Sequence, residues 1–186
     1  MTSSTNRRAV IFHGYAASPR DHWFEWLAKR LTDAGIPTRI ATFPNSSDPS
    51  SDQWVTTVAG ELGTPGEEIV VVAHSLGCLA VLRHLASLAG PWRVGTLVLV
   101  SGFVDTLPAL PALDDFIAGG VNLEGIRDHI GSLTIVRSDD DAHVPVELTD
   151  RLAHLLDTST VVVPGAGHFL AEDGVTRLPQ ALRAIV

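Results

Sequence analysis

The sequence predicts an α/β fold: a doubly wound, mostly parallel six-stranded sheet with helices on both faces. Three observations predict it. Short β-branched runs alternate with helical patterns along the chain, the signature of crossover connections between parallel strands. The later runs, at 94–100, 133–137 and 160–163, are almost continuously apolar, which is how a strand reads when helices cover both its faces. The 186 residues suffice for one well-buried core and are too few for two ordinary domains, so a single domain over 1–186 is expected.

In order, residues 7–12 form a β-like run ending at His13-Gly14, and Ala17-Ser18-Pro19 separates it from the first helix. There Trp23, Trp26, Leu27, Arg30 and Leu31 recur at threes and fours, until Gly35 and Pro37 close the helix. A second strand is expected over 38–43, followed by a proline-punctuated loop at 44–49. The helix expected over 51–62 gathers Trp54, Val55, Val58, Ala59 and Leu62 on one face, with Ser50 or Ser51 as its N-cap. After the turn at 63–66, the run Ile69-Val70-Val71-Val72 stops at Ala73, and a helical pattern runs from Leu76 until Gly90-Pro91 ends it. The fourth strand, 94–100, comes next. Residues 103–131 are the least regular stretch, because Pro108, Pro111, Gly119 and Gly120 break the pattern around a short helical piece at 114–117. Lying past a central strand, this excursion is either a small lid over the crevice or an ordinary connection. Strands at 133–137 and 160–163 complete the sheet.

Charge and composition narrow the partners. A net charge of −8 with no basic stripe argues against nucleic acid or an anionic membrane and favours a small neutral substrate. The eight histidines show no His-x-x-x-His pair or Cys/His cluster with ligand spacing, so neither metal nor other cofactor is expected. Cys78, the single cysteine, excludes an intrachain disulfide and fits a reducing compartment. No apolar run is long enough to span a bilayer, and the polar residues 1–8 do not resemble a signal peptide. A cytoplasmic location is expected.

The chemistry is concentrated at strand ends. Ser75 falls in the sharp turn between the third strand and its helix, flanked by Ala73 and Gly77, the small neighbours a strained nucleophile elbow needs. The rival reading of Ser75 is a helix cap. A serine hydroxyl needs a base, and the base needs a group that fixes its tautomer. His168, in the glycine loop after the last strand, is the candidate base. Three acids follow the fifth strand, and Asp141, three residues ahead of Val144-Pro145, is favoured over Asp140. The order Ser75, Asp141, His168 is that of an α/β hydrolase. An oxyanion would be met by the backbone N–H of Leu76 together with that of Tyr15 or Ala16. His74 is expected to point away from the serine and pack against the first-strand loop, and His13 to hold that loop in shape. Trp23, Trp26, Phe103, Phe116 and Phe169 are core residues or, alternatively, the lining of an apolar crevice.

Several segments together resemble a known family. They are Ala73-His74-Ser75-Leu76-Gly77, His13-Gly14-Tyr15 with Ser18-Pro19, His22-Trp23-Phe24-Glu25-Trp26-Leu27, Phe43-Pro44-Asn45 with Trp54, residues 138–145, and Gly167-His168-Phe169. On these the chain resembles the small serine-hydrolase family that includes retinoblastoma-binding protein 9, within the α/β-hydrolase superfamily. The resemblance implies a compact fold without a large cap, and Ser75, Asp141 and His168 as nucleophile, acid and base. It departs in two places: Ala73 stands where glycine is usual, and Ala142 follows the acid where proline is common. The activity expected is hydrolysis of small carboxylic esters, with amides or thioesters as further substrates. Two alternatives are carried, a protein-interaction module with a vestigial triad, and another hydrolase chemistry such as C–C bond cleavage.

Overall fold

A computed structural model describes residues 7–186. Six strands, β1 (Arg8–Phe12), β2 (Thr38–Ile40), β3 (Ile69–His74), β4 (Val94–Val100), β5 (Ile130–Ser138) and β6 (Thr160–Val163), form one sheet. Every pairing is parallel, in the order β2-β1-β3-β4-β5-β6. The helices are α1 (Phe24–Asp33), α2 (Ser51–Leu62), α3 (Leu76–Ser87), α4 (Asp114–Ile117), α5 (Val146–Leu155) and α6 (Pro179–Arg183). The doubly wound sheet expected from the sequence is the one observed.

Alternation along the central strands divides the core in two. Val71 and Ala73 of β3, with Leu97 and Leu99 of β4, pack beneath α2 and α3. Val70, Val72, Val98 and Val100 face the opposite way, onto α1 and α6. Because β3 and β4 are covered on both sides, all six β3 residues are buried, which explains the unbroken apolar run from Ile69 to Ala73. The strand order reverses direction between β1 and β3. Such a switch point opens a crevice at the carboxyl ends of the strands, and here the first-strand loop and the residue after β3 meet in it.

Some element bounds differ from the sequence reading. β2 is only three residues long, although 38–43 reads as a strand. One more ladder bond follows, Ala41 N–H to the Ile11 carbonyl (2.9 Å), after which the Phe43 N–H turns to the His13 ring (3.1 Å). The tertiary aromatic stack explains the turn, since Phe43 lies parallel to Trp54 at 4.0 Å between ring centroids. β5 begins three residues earlier than expected, because Ile130 and Ser132 pair with Val94 and Thr96 although Gly131 and Ser132 interrupt the apolar pattern. Ser50 is the α2 N-cap residue, but its side chain makes no capping bond.

The irregular excursion is pinned to the body. Phe103, Leu107, Leu113, Phe116, Ile117, Leu123 and Ile126 are buried in the core of the α2–α3 face. Arg83 of α3 commits all five guanidinium N–H groups: Nε to Gly120 O, Nη1 to Phe116 O and Ser51 Oγ, and Nη2 to Ile117 O and Ala118 O. The carbonyls that end α4 are thereby satisfied by one side chain.

Candidate active site

The site starts from a strained residue. Ser75 sits between β3 and α3 at φ 54° and ψ −127°, a conformation L-residues rarely adopt, at a cost of about 1–3 kcal/mol. Its N–H is held by the Val100 carbonyl of β4 (2.9 Å), and its side chain makes no helix-capping bond. Helix capping therefore does not account for this serine. The glycines are explained by close approach: a Cβ on Gly77 would lie 2.3 Å from the His13 carbonyl oxygen, and one on Gly14 would lie 2.9 Å from Ser75 Cβ. Gly77→Ala is accordingly expected to lower stability by about 1–3 kcal/mol through overpacking, read as a lower urea midpoint at unchanged m-value. A midpoint matching the parent would mean that β1 can recede.

Ser75 Oγ lies 2.9 Å from His168 Nε2, and His168 Nδ1 lies 2.8 Å from Asp141 Oδ2. A carboxylate only accepts, so Nδ1 carries the ring proton and Nε2 accepts from the serine hydroxyl. Asp141 is fully engaged. Its Oδ1 accepts the N–H groups of His143 and Val144 (both 2.9 Å), and its Oδ2 also accepts the Ser101 hydroxyl (2.9 Å). Burial pushes this carboxyl up, but the hydrogen bond and charge of His168 and the two amides outweigh it and hold it below the ordinary aspartate value. All three side chains are largely shielded from solvent.

The rival acids have another task. Asp139 accepts the Gly165 N–H (2.8 Å), Asp140 the Gly167 N–H (2.8 Å), and Ser138 Oγ the Ala166 N–H (3.0 Å). Asp173 accepts the N–H groups of His168 (2.8 Å) and Leu170 (3.0 Å), and His22 Nδ1 that of Ala171 (3.0 Å). A loop with Gly165, Gly167 and Phe169 at positive φ cannot be held by a regular ladder, so side chains mould it. Sequence reading missed Ser101, Asp173 and His22 in these roles. Ser101 had a faint signal, as a polar residue closing an apolar strand. Asp173 and His22 had none, because their partners are backbone groups brought near only by folding.

The oxyanion candidates separate on their hydrogen bonds. Ala16 N–H is already committed to the Ser46 carbonyl at 2.7 Å. Leu76 is the first residue of α3, where backbone N–H groups lack helical partners. His13 is buried and uses both ring nitrogens in one neutral tautomer, donating from Nδ1 to the Gly14 carbonyl (2.9 Å) and accepting the Phe43 N–H at Nε2. Burial lowers its pKa, in keeping with that neutral form. His74 packs against the end of the connection that follows β1, its ring 5.9 Å from that of His22 and 6.0 Å from that of Trp23 between centroids. It faces Trp23 and Phe24, and its Nε2 is 2.9 Å from the His168 carbonyl. His143 stands edge-on to the His168 ring, 5.2 Å between centroids. Trp23, Phe103 and Phe169 are fully buried and Phe116 nearly so, with Trp26 packed at the edge of the α1 core. These aromatics build the core. Among the described residues no cluster of three or more His, Cys, Asp or Glu is arranged to hold a metal ion, and no helix is long and apolar enough to cross a membrane.

A serine on a strand-to-helix elbow of a parallel sheet, in contact with a histidine after the last strand, defines an α/β hydrolase. The chain belongs to the serine hydrolase family, whose model matches residues 9–186. It is 38% identical over 173 residues to YdeN of Bacillus subtilis, a protein provisionally named a hydrolase, covering 93% of this chain and 91% of YdeN. The crystal structure of the B. subtilis ydeN product superimposes with a TM-score of 0.92 at 37% identity, over 96% of each chain. Est1E from Butyrivibrio proteoclasticus shares the fold at lower similarity, with a TM-score of 0.66 and 17% identity over 96% of this chain and 88% of Est1E.

Proposed function

We propose that the protein hydrolyses small, neutral carboxylic esters through an acyl-enzyme on Ser75. The observation that carries the reading is the continuous chain Ser75 Oγ, His168, Asp141, with contacts of 2.9 and 2.8 Å. Ser75 Oγ attacks the acyl carbonyl while its proton passes to His168 Nε2, and Asp141 stabilises the imidazolium that results. The proton then goes to the departing alcohol as the C–O bond breaks. Water attacks the acyl-enzyme by the same route, with His168 again as base, and Ser75 is released as the hydroxyl.

The oxyanion is assigned to the N–H groups of Leu76 and Tyr15. The α3 dipole favours Leu76, and the Ser46 contact at the Ala16 N–H favours Tyr15 as the second donor. Tyr15 N–H shares a peptide plane with the Gly14 carbonyl, so the His13 bond to that carbonyl fixes where the Tyr15 N–H points. The reading treats the chain as one hydrolase unit with the 103–131 excursion as a clamped wall. The net charge of −8 supports a neutral substrate over an anionic one. The test is labelling with a fluorophosphonate probe followed by peptide mass mapping. Rapid labelling with the adduct on Ser75 is expected, and a folded protein left unlabelled over hours would overturn the proposal.

A further inference from the structure

His74 is a buried histidine that the mechanism above does not use. It is 1% exposed, at the end of β3 immediately before the nucleophile, with its ring 4.9 Å from that of His168 between centroids. Its Nε2 lies 2.9 Å from the His168 carbonyl oxygen, which only accepts, so Nε2 carries the proton and donates. Nδ1 is then a bare lone pair, buried and without a partner. An apolar side chain would avoid that cost, but would leave the His168 carbonyl without the Nε2–H donor.

The backbone of His168 has no ladder to hold it. Gly167 (φ 53°) and Phe169 (φ 60°) flank it in left-handed conformations, and each adjoining peptide is fixed by a specific bond. The peptide before it is held through the His168 N–H by Asp173. The peptide after it is held at both ends, its N–H by the Ala166 carbonyl (2.9 Å) and its C=O by His74. The two planes together set the Cα–Cβ direction of His168, and with it the reach of Nε2 to Ser75. We propose that His74 is a positioning residue for the base, whose Nε2–H bond to the His168 carbonyl fixes the orientation of that imidazole toward Ser75.

The inference rests on the acyl-enzyme reading for its kinetic consequence, and its structural half can be tested separately. Long-range proton–nitrogen NMR of the unmodified protein should find His74 in the Nε2–H form alone; an Nδ1–H form would overturn the proposal whatever the activity. In kinetics, misplacing a reacting group by about 1 Å costs about 10²-fold. His74→Leu should lower kcat on a short activated ester by about 10- to 100-fold with KM within about threefold. His74→Gln, which restores a donor of similar reach, should recover most of the loss. Equal impairment of both variants, or a His74→Leu kcat within twofold of the parent, would overturn the proposal. An unlabelled parent protein in the fluorophosphonate test would instead sink the enzymatic reading and leave the tautomer result standing.

Discussion

Ser75→Ala is expected to lower turnover of a short activated ester by about 10⁴- to 10⁶-fold, the range seen when an acyl-forming serine is removed. Alanine keeps the backbone N–H to the Val100 carbonyl and incurs the same strain at φ 54°, so the fold should persist with a melting temperature close to the parent. The residual rate would come from the oxyanion donors and from binding. Steady-state kinetics beside a thermal melt checks both halves. A variant that kept more than about a hundredth of the parent turnover would point to a different nucleophile.

Asp141→Asn is the second large effect, and it separates the acid from its neighbours. An asparagine oxygen can still accept the amides of His143 and Val144, but the amide nitrogen would then face His168 Nδ1 and the Ser101 hydroxyl. His168 would have to move its proton to Nε2, where it can no longer accept from Ser75. A loss in kcat of about 10⁴-fold is expected, as for the wrong tautomer in other serine enzymes. Asp140→Asn keeps an acceptor for Gly167 and should stay within about tenfold of the parent. Reversal of that order would assign the acid to Asp140. The sign with pH follows from the depressed Asp141 pKa: its stabilising contribution is complete above the ordinary aspartate value of about 4, and is lost as pH falls through the lower folded value. Urea unfolding of Asp141→Asn should show a weaker acid dependence in that window.

The parts of this molecule that were legible in its sequence are those with local causes. The elbow at Ser75, the double-sided burial of β3 and β4, and the glycine loop ahead of His168 each leave a pattern within a few residues. The spacing of Asp141 to Val144 was legible because it reflects a hydrogen bond to that amide. The shortening of β2 was not legible, since it depends on Trp54 drawing Phe43 out of line. α5 and α6 were passed over, although α5 buries Thr149, Leu152 and Ala153 at helical spacing. The hydrogen bond of His74 was not legible for the same reason as β2: its partner is a carbonyl 94 residues further along the chain.

Among the described residues, the side chains hydrogen-bonded to His168 (Ser75, His74, Asp141 and Asp173) come from residue 74 onward. From the earlier part of the chain, His22 reaches the same loop through the Ala171 N–H, and His13 holds the Gly14 carbonyl. On the proposed reading, the chain from Ser75 onward supplies the reacting side chains. The loop 14–22, which begins against Ser75 at Gly14, is tied to the segment 44–50 by the Ala16 N–H bond to the Ser46 carbonyl. On that reading, the reacting side chains and the turn that abuts Ser75 thus come from separate stretches of the chain.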